Sequence, residues 1–204
     1  KMRSLVEKLT GAPQNKHIGK GVHIHVAETE DEYHQFWVNP VFGVPGEVKY
    51  DITGPTRLVV RDVQLDPDSL KGATLDLPFT EVKWENALDR VTSAATPRQI
   101  ERVPAGAVFK PMQLVFSLYQ ESDCALLPNI FTALQLVEDD YLGGQGSRGS
   151  GKVAFNNITL TARVGSDYRL GEKKELGNLS DLSDAAKQDL EDWARGQFFA
   201  NGAS

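Results

Sequence analysis

The stretch YLGGQGSRGSGKVAF, residues 141–155, carries two phosphate-binding patterns in one loop. Gly144, Gly146 and Gly149 spell G-x-G-x-x-G. Gly146, Gly151 and Lys152 spell G-x-x-x-x-G-K, but Val153 stands where a P-loop needs Ser or Thr. Both motifs require a strand that leads through the loop into a helix, whose free N–H groups meet the phosphate. Here the spacing predicts the reverse order. Ile130, Leu134, Val137 and Tyr141 recur at helical intervals over 128–142, Pro128 suits a first turn, and Gly143 fits the position just past a helix end. Downstream, KVAFNNITLTARV (152–164) predicts a strand with a bulge at its Asn pair. The loop therefore meets the C-terminal end of a helix, whose partial negative charge repels phosphate. Val153 also lacks the hydroxyl that would hold Mg²⁺, so the context argues against ATP or NAD.

The loop keeps anion-binding chemistry all the same. Five glycines within the nine residues 143–151 let backbone amides turn outward as a nest, and Arg148 and Lys152 add charge with no carboxylate from Gly143 to Lys152. A flexible surface turn would have the same composition. If a ligand is held, an extended polyanion such as RNA suits the arrangement better than a nucleotide gripped at one point.

The chain has 204 residues, 40% hydrophobic and 25% charged, which fits one globular domain. There is no apolar run long enough to span a membrane and no signal-like start, so a soluble protein with no membrane partner is expected. The single cysteine, Cys124, excludes an internal disulfide and points to a reducing, cytoplasmic setting. A net charge of −6 argues against a uniformly basic nucleic-acid binder. It leaves local patches open, because the screening length is only about 8 Å at physiological salt. The sequence begins at Lys1 inside a helical pattern, so a preceding segment is expected.

Along the chain, Met2, Leu5, Val6 and Leu9 share a helix face that Gly11 and Pro13 terminate. Residues 14–50 hold all four histidines and no clean period, and predict an irregular insertion. A strand comes next, with Leu58 and Val60 inward and Arg57, Val59 and Arg61 on the other face. Residues 80–104 predict a projecting β-hairpin. Residues 107–119 predict a strong strand with Met112, Leu114, Phe116 and Leu118 on one face and Pro111 at an edge or bulge. Residues 166–178 read as a polar linker, and Ser180 or Ser183 could cap a last helix carrying Leu190, Trp193 and Phe198. The order of strand, helix and strand predicts an α+β fold, one sheet covered by helices.

The segment VEDDYLGGQGSRGSGKVAF (137–155) closely resembles the backbone subunit of type III CRISPR effector complexes, in the RAMP (repeat-associated mysterious protein) superfamily. TRLVVRDVQL (56–65), TEVKWENALDRVTSAATPRQIERVPAGAVF (80–109) and VFGVPG (41–46) resemble the same family, in the family's order. The resemblance covers most of residues 1–165 and leaves the tail 166–204 unmatched. It implies a ferredoxin-like (RRM-like) palm lacking its N-terminal part, copies of which stack along a guide RNA. It also implies a β-hairpin thumb that kinks the guide–target duplex at six-nucleotide steps.

Under that resemblance Gly143, Gly144, Gln145, Gly146, Ser147, Arg148, Gly149 and Lys152 would contact the crRNA backbone. Arg57 and Arg61 would face RNA, the alternative being solvent. Lys83, Arg90, Arg98 and Arg102 of the thumb would meet phosphates, with Trp84 and Ile100 wedged against a base pair. Alternatively Trp84 is a core or subunit-contact residue. The implied partners are crRNA, target RNA, neighbouring copies and other type III effector subunits. Target cleavage in the family uses a divalent metal (Mg or Mn) and an aspartate in a loop upstream of a P-G-S-S-L-K-G helix start. KMRSL (1–5) resembles the residues just after that motif, so the aspartate would precede Lys1 and the catalytic residues of this chain stay unknown. Asp51, Asp62 and Asp89 do not inherit the role. The alternatives are a structural RAMP module of a fused effector that does not cut, and a histidine-centred metallohydrolase. Many family members carry a cysteine-rich zinc site near the histidine region. Here His23, His25 and His34, with His17 or a carboxylate from Glu28, Glu30 or Asp31, would have to supply a structural zinc site, the alternative being solvated histidines.

Overall fold

Helix α1, Met2–Thr10, ends as its sequence predicts, with Gly11 left-handed (φ 68°) and its amide bonded back to the last turn. Val6 is fully buried, but Leu9 is 55% exposed, so the apolar stripe is narrower than its spacing suggests. Arg3 fixes the helix. Its guanidinium donates to Glu7 Oε1 (2.9 Å), the Gly43 carbonyl (2.8 Å) and the His25 carbonyl (2.9 Å). The computed structural model describes residues 1–45 and 54–199.

Residues 14–45 are not irregular. Strands β1 (Lys16–Gly19) and β2 (Val22–Ile24) form an antiparallel hairpin, and the short helices α2 (Glu30–Gln35) and α3 (Val38–Phe42) come after it. Thr29 caps α2 through the Glu32 amide. Val26, Ala27, Tyr33, Val38 and Val41 from this region are buried. Its short elements alternate too quickly for a period to register, although it supplies much of the core.

Helix α4, Leu127–Asp139, buries Leu127, Ile130, Phe131, Leu134 and Val137, with Pro128 in its first turn as expected. Val6, Val38 and Ala133 meet at the centre of one cluster, against which Met2, Phe36, Trp37, Phe42 and Leu136 pack. Each fully buried side chain of Val or Leu size contributes about 1.5–3 kcal/mol. Helix α5, Asp184–Phe198, is capped by the Ser183 hydroxyl accepting from the Ala186 amide, and packs on α4 through Leu190 and Ala194.

Strand β3 (Leu58–Val60) pairs with β8 (Leu114–Phe116), β4 (Leu65–Asp66) with β7 (Val108–Phe109), β5 (Glu81–Leu88) with β6 (Ala95–Arg102), and β9 (Ile158–Val164) with β10 (Arg169–Gly177). The fold is α+β. In place of one helix-covered sheet, the described residues form five two-stranded ladders. Residues 107–119 split at Pro111, which has no amide proton to continue a ladder, into β7 and β8. Val60 is 49% exposed rather than inward. Strand β9 starts six residues later than Lys152 because Asn157 is left-handed (φ 56°). Residues 166–178, expected as a linker, hold β10. Its polar residues alternate over a half-buried ribbon, which hides a strand among charges.

Contacts divide the chain into two units, Lys1–Val59 with Val115–Ser204, and Val60–Leu114. The second unit contains the predicted hairpin, β5 against β6 in continuous register from Glu81↔Arg102 to Leu88↔Ala95. Leu70 is its single buried large hydrophobic residue among the described residues. One such burial cannot offset an ordering cost of about 1–2 kcal/mol per residue, so cross-strand pairs carry much of this unit's order.

Candidate nucleic-acid interface

The glycine loop lies in the first unit. Helix α4 ends at Asp139, so Gly143 (φ 77°) falls inside the loop rather than at the helix end. The Leu142 amide donates to the Gly151 carbonyl at 2.8 Å and closes the loop at its neck. Inside, Gly146–Arg148 make one 3-10 turn between two left-handed residues, Gln145 (φ 63°) and Gly149 (φ 80°). The Gln145 carbonyl accepts from the Arg148 and Ser150 amides, and its side-chain Oε1 accepts from Arg148 Nη1 at 3.4 Å. A glutamine in this conformation costs more than a glycine would.

Three glycines differ in what holds them. A Cβ on Gly146 would overlap the Tyr141 ring, and one on Gly151 would overlap the Leu142 carbonyl. Both are glycine because the loop packs on itself. Gly144 is different: its φ lies outside the left-handed region, and a Cβ there would meet nothing within 4 Å among the described residues. Tyr141 in turn sits under the Lys1 ammonium, 3.8 Å from its centroid, and Lys1 Nζ pairs with Asp140 at 2.8 Å. That hydrogen bond to Asp140 holds the Lys1 ammonium above its ordinary pKa. Asp139, Asp140, Tyr141, Gln145, Gly146 and Ser147 line an open depression beside the turn. Lys152 is exposed and has no carboxylate partner among the described residues.

Arg57 and Arg61 do not share a surface. Arg57 is 6% exposed. It donates to Asp123 Oδ1 (3.2 Å), the Tyr33 hydroxyl (3.2 Å) and the Pro55 carbonyl (2.9 Å), while Asp123 Oδ2 accepts from the Tyr119 and Gln120 amides. A guanidinium so enclosed is a structural ion pair and is not presented to RNA. Burial raises the Tyr33 phenol pKa, against the lowering effect of Arg57. Arg61 is exposed and donates to Gln113 Oε1 at 3.2 Å.

Register sorts the thumb residues onto two faces. Val82, Trp84, Asn86 and Leu88 share one face with Ala95, Pro97, Gln99 and Glu101. Lys83, Glu85, Arg98, Ile100 and Arg102 share the other. On the charged face Arg98 pairs with Glu85 (2.9 Å), Lys83 with Glu85 (3.5 Å) and Arg102 with Glu81 (2.6 Å). Trp84 is 63% exposed, which removes a core role for it within this chain, and Ile100 points away from it, so the two cannot wedge together. Arg90 is exposed in the turn, where Asp89 Oδ1 accepts from the Val91 and Thr92 amides. These bonds hold the Asp89 carboxyl below its usual range. Asp62 is exposed, and Asp51 lies outside the described residues.

Among the described residues the histidines are dispersed. His25 is fully buried. Its Nδ1 lies 2.9 Å from the Pro13 carbonyl, an acceptor, so Nδ1 carries the proton, and Nε2 accepts from Asn39 Nδ2 at 3.2 Å. His34 stacks edge-on against Tyr33, and His17 lies tilted against His23. Among the described residues no three His, Cys, Asp or Glu side chains are grouped to hold a metal. The described donors fit neither a structural zinc nor a three-histidine hydrolytic centre. Tyr141 and Asp123 are the residues that sequence reasoning missed. Tyr141 was visible only as the last apolar step of a helix, and Asp123 carried no signal.

No protein-family model matches the chain. Three relatives each bear the name CRISPR system Cms endoribonuclease Csm3. The one from Methanocaldococcus jannaschii is 36% identical over 189 residues, spanning 90% of this chain and 71% of that protein. The one from Mycobacterium tuberculosis is 40% identical over 145 residues, 63% of this chain and 59% of the relative. The one from Enterococcus italicus is 46% identical over 91 residues, 44% of this chain and 42% of the relative. The chain thus spans about half the length of the last two. No described helix is long and apolar enough to cross a membrane. With 90% of its length aligned to a Csm3 protein at 36% identity, the chain belongs to the Csm3 family, the RAMP-superfamily backbone subunits of type III CRISPR systems.

Proposed function

We propose that this chain holds the sugar–phosphate backbone of a crRNA across its glycine loop, as one of several stacked copies in a type III effector complex. Gly144 carries the reading. Neither backbone conformation nor neighbouring atoms require a glycine there, while a ligand backbone lying against the loop would. Gln145, kept left-handed at an energetic cost, presents a side-chain amide beside it, with Ser147, Arg148 and Lys152 around the turn. Contacts of this kind fix a strand in place without reading its sequence, which a subunit serving any guide needs. Base pairing then selects the target.

In this proposal the first unit serves as a ferredoxin-like palm. The hairpin is the thumb, and the face that carries Trp84, with one carboxylate at Glu101, meets the guide–target duplex at six-nucleotide steps. The charged face stiffens the hairpin. Target RNA, adjacent copies and other effector subunits are the partners. If the aspartate loop that the resemblance implies precedes Lys1, the subunit would cleave target RNA with a divalent metal; no residue of this chain is assigned to that step.

The test is Gly144→Ala in the full-length subunit. Stability should be unchanged or rise by about 0.4–1 kcal/mol, because alanine restricts the unfolded chain, while guide retention falls severalfold for every guide sequence. Undiminished retention across a salt series would remove the loop from the interface.

A further inference from the structure

The β1–β2 hairpin, whose histidines are grouped with no third metal-ligating side chain among the described residues, offers a different chemistry. From Lys8 to Ala27 there is no Asp or Glu, although the chain carries 28 acidic residues and a net charge of −6. The hairpin displays Lys16, His17, Lys20 and His23, all exposed, and neither lysine has a carboxylate partner among the described residues. His17 and His23 are direct cross-strand partners with ring centroids 4.9 Å apart, so both imidazoles stand on one face. The hairpin is held at its base. Asn15 Nδ2 donates to the Val26 carbonyl (2.9 Å) and its Oδ1 accepts from the Val26 amide (3.0 Å). At the tip, Lys20 is itself left-handed (φ 50°) between Gly19 and Gly21. A lysine there is disfavoured by about 1–2 kcal/mol relative to glycine, so the fold gains nothing from the side chain that the tip retains.

The hairpin and the glycine loop belong to the same unit and are joined by α1. Lys1, at the start of α1, touches Tyr141 and Asp140 beneath the glycine loop, and the hairpin lies beyond the other end of the helix in the chain. Nine helical residues separate the two ends by about 14 Å. We propose that the β1–β2 hairpin is a second contact for the same RNA strand: Lys16 and Lys20 neutralise phosphates, while the His17–His23 pair occupies the face of the ribbon opposite Lys16. This inference rests on the guide-binding reading of the glycine loop and extends it by a few nucleotides along the backbone.

The test measures binding of a labelled single-stranded guide to the full-length subunit over a salt series, for Lys16→Gln with Lys20→Gln and, separately, for Lys152→Gln. Both hairpin sites are exposed, and unchanged thermal unfolding serves as the folding control. On single strands each neutralised phosphate contributes about 0.7 to the slope of log affinity against log salt. The hairpin pair should therefore lower the slope by about 1.4 and the affinity on the order of tenfold at low salt, for guides of unrelated sequence. If Lys152→Gln lowers affinity and slope while the hairpin variant changes neither, the hairpin is not an RNA contact and the glycine-loop reading stands. If neither variant changes them, both fail. Loss of binding to a neighbouring subunit, with guide affinity and slope intact, would assign the hairpin to an acidic protein surface and overturn the proposal.

Discussion

Replacing Gly146 with alanine isolates the contact that shapes the glycine loop. The position has a φ outside the left-handed region, so alanine by itself should gain about 0.4–1 kcal/mol through the unfolded state. The opposing effect is larger. The new methyl overlaps the Cγ, Cδ1 and Cε1 atoms of Tyr141, so the ring must move. Overpacking of this kind costs about 1–3 kcal/mol. Displacing the ring from the Lys1 ammonium loses roughly another 0.5–1 kcal/mol. The net expectation is a destabilisation of about 1–3 kcal/mol by denaturant unfolding of the full-length subunit, together with weaker guide binding. In a Tyr141→Ala background the same substitution should be neutral or slightly stabilising. The coupling between the two sites is then about 2 kcal/mol, well above the ~0.3–0.5 kcal/mol scatter of independent sites. Guide affinity should stay low in the double variant, because the loop has lost its seat. Gly149→Ala is the control. It is left-handed with open space around it, so its cost of about 1–2 kcal/mol should not depend on Tyr141. An equal cost for Gly146→Ala in both backgrounds would refute the packing argument.

Asp123→Ala should destabilise by about 3–5 kcal/mol, since it leaves the enclosed Arg57 guanidinium without its counter-charge and frees the Tyr119 and Gln120 amides. A melting temperature close to that of the unmodified chain would mean that Arg57 is hydrated. In the thumb, Trp84→Ala should leave stability unchanged and disturb the spacing of target engagement, whereas Arg98→Ala should leave that spacing intact. Both substitutions having the same effect in a cleavage or footprint ladder would contradict the assignment of the two faces.

How much of the fold is legible in the sequence depends on the distance over which each signal acts. Helices α1, α4 and α5 are visible because their apolar spacing and an end signal, the stop at Gly11 or the starts at Pro128 and Ser183, lie next to each other in sequence. The thumb hairpin is visible because its two strands are adjacent and polar. Failures come where a strand's partner is remote or its burial is one-sided. Val60 alternates correctly with Leu58 but has nothing to cover it. Arg57 looks like a surface cation because its partner, Asp123, is 66 residues away. The polar alternation of β10 resembles that of a linker, since both lack an apolar face. In the candidate site the glycines, the charges and the helix-loop-strand order are plain. The division of labour among the glycines is not, because it depends on where Tyr141 and the Leu142 carbonyl lie.

An acidic chain that grips a polyanion must keep its own carboxylates away from the points of contact, and the distribution of ion pairs bears on where those points are. Many of its lysines and arginines are matched internally: Lys71 to Asp68, Lys110 to Asp66, Lys173 to Glu175, Lys187 to Asp184, and the thumb cations to Glu81 and Glu85. A matched cation offers a phosphate little, because the carboxylate beside it repels what it attracts at a separation shorter than the screening length. This weighs against the charged face of the thumb as a phosphate site, despite its arginines. Lys152, Lys16 and Lys20 have no such partner among the described residues, and they lie within acid-free runs of sequence. The electrostatic attraction that steers an RNA strand toward this protein should therefore come from the glycine loop and the β1–β2 hairpin. On the proposed reading, the thumb would then act by shape and by contact through its Trp84 face once the strand is in place.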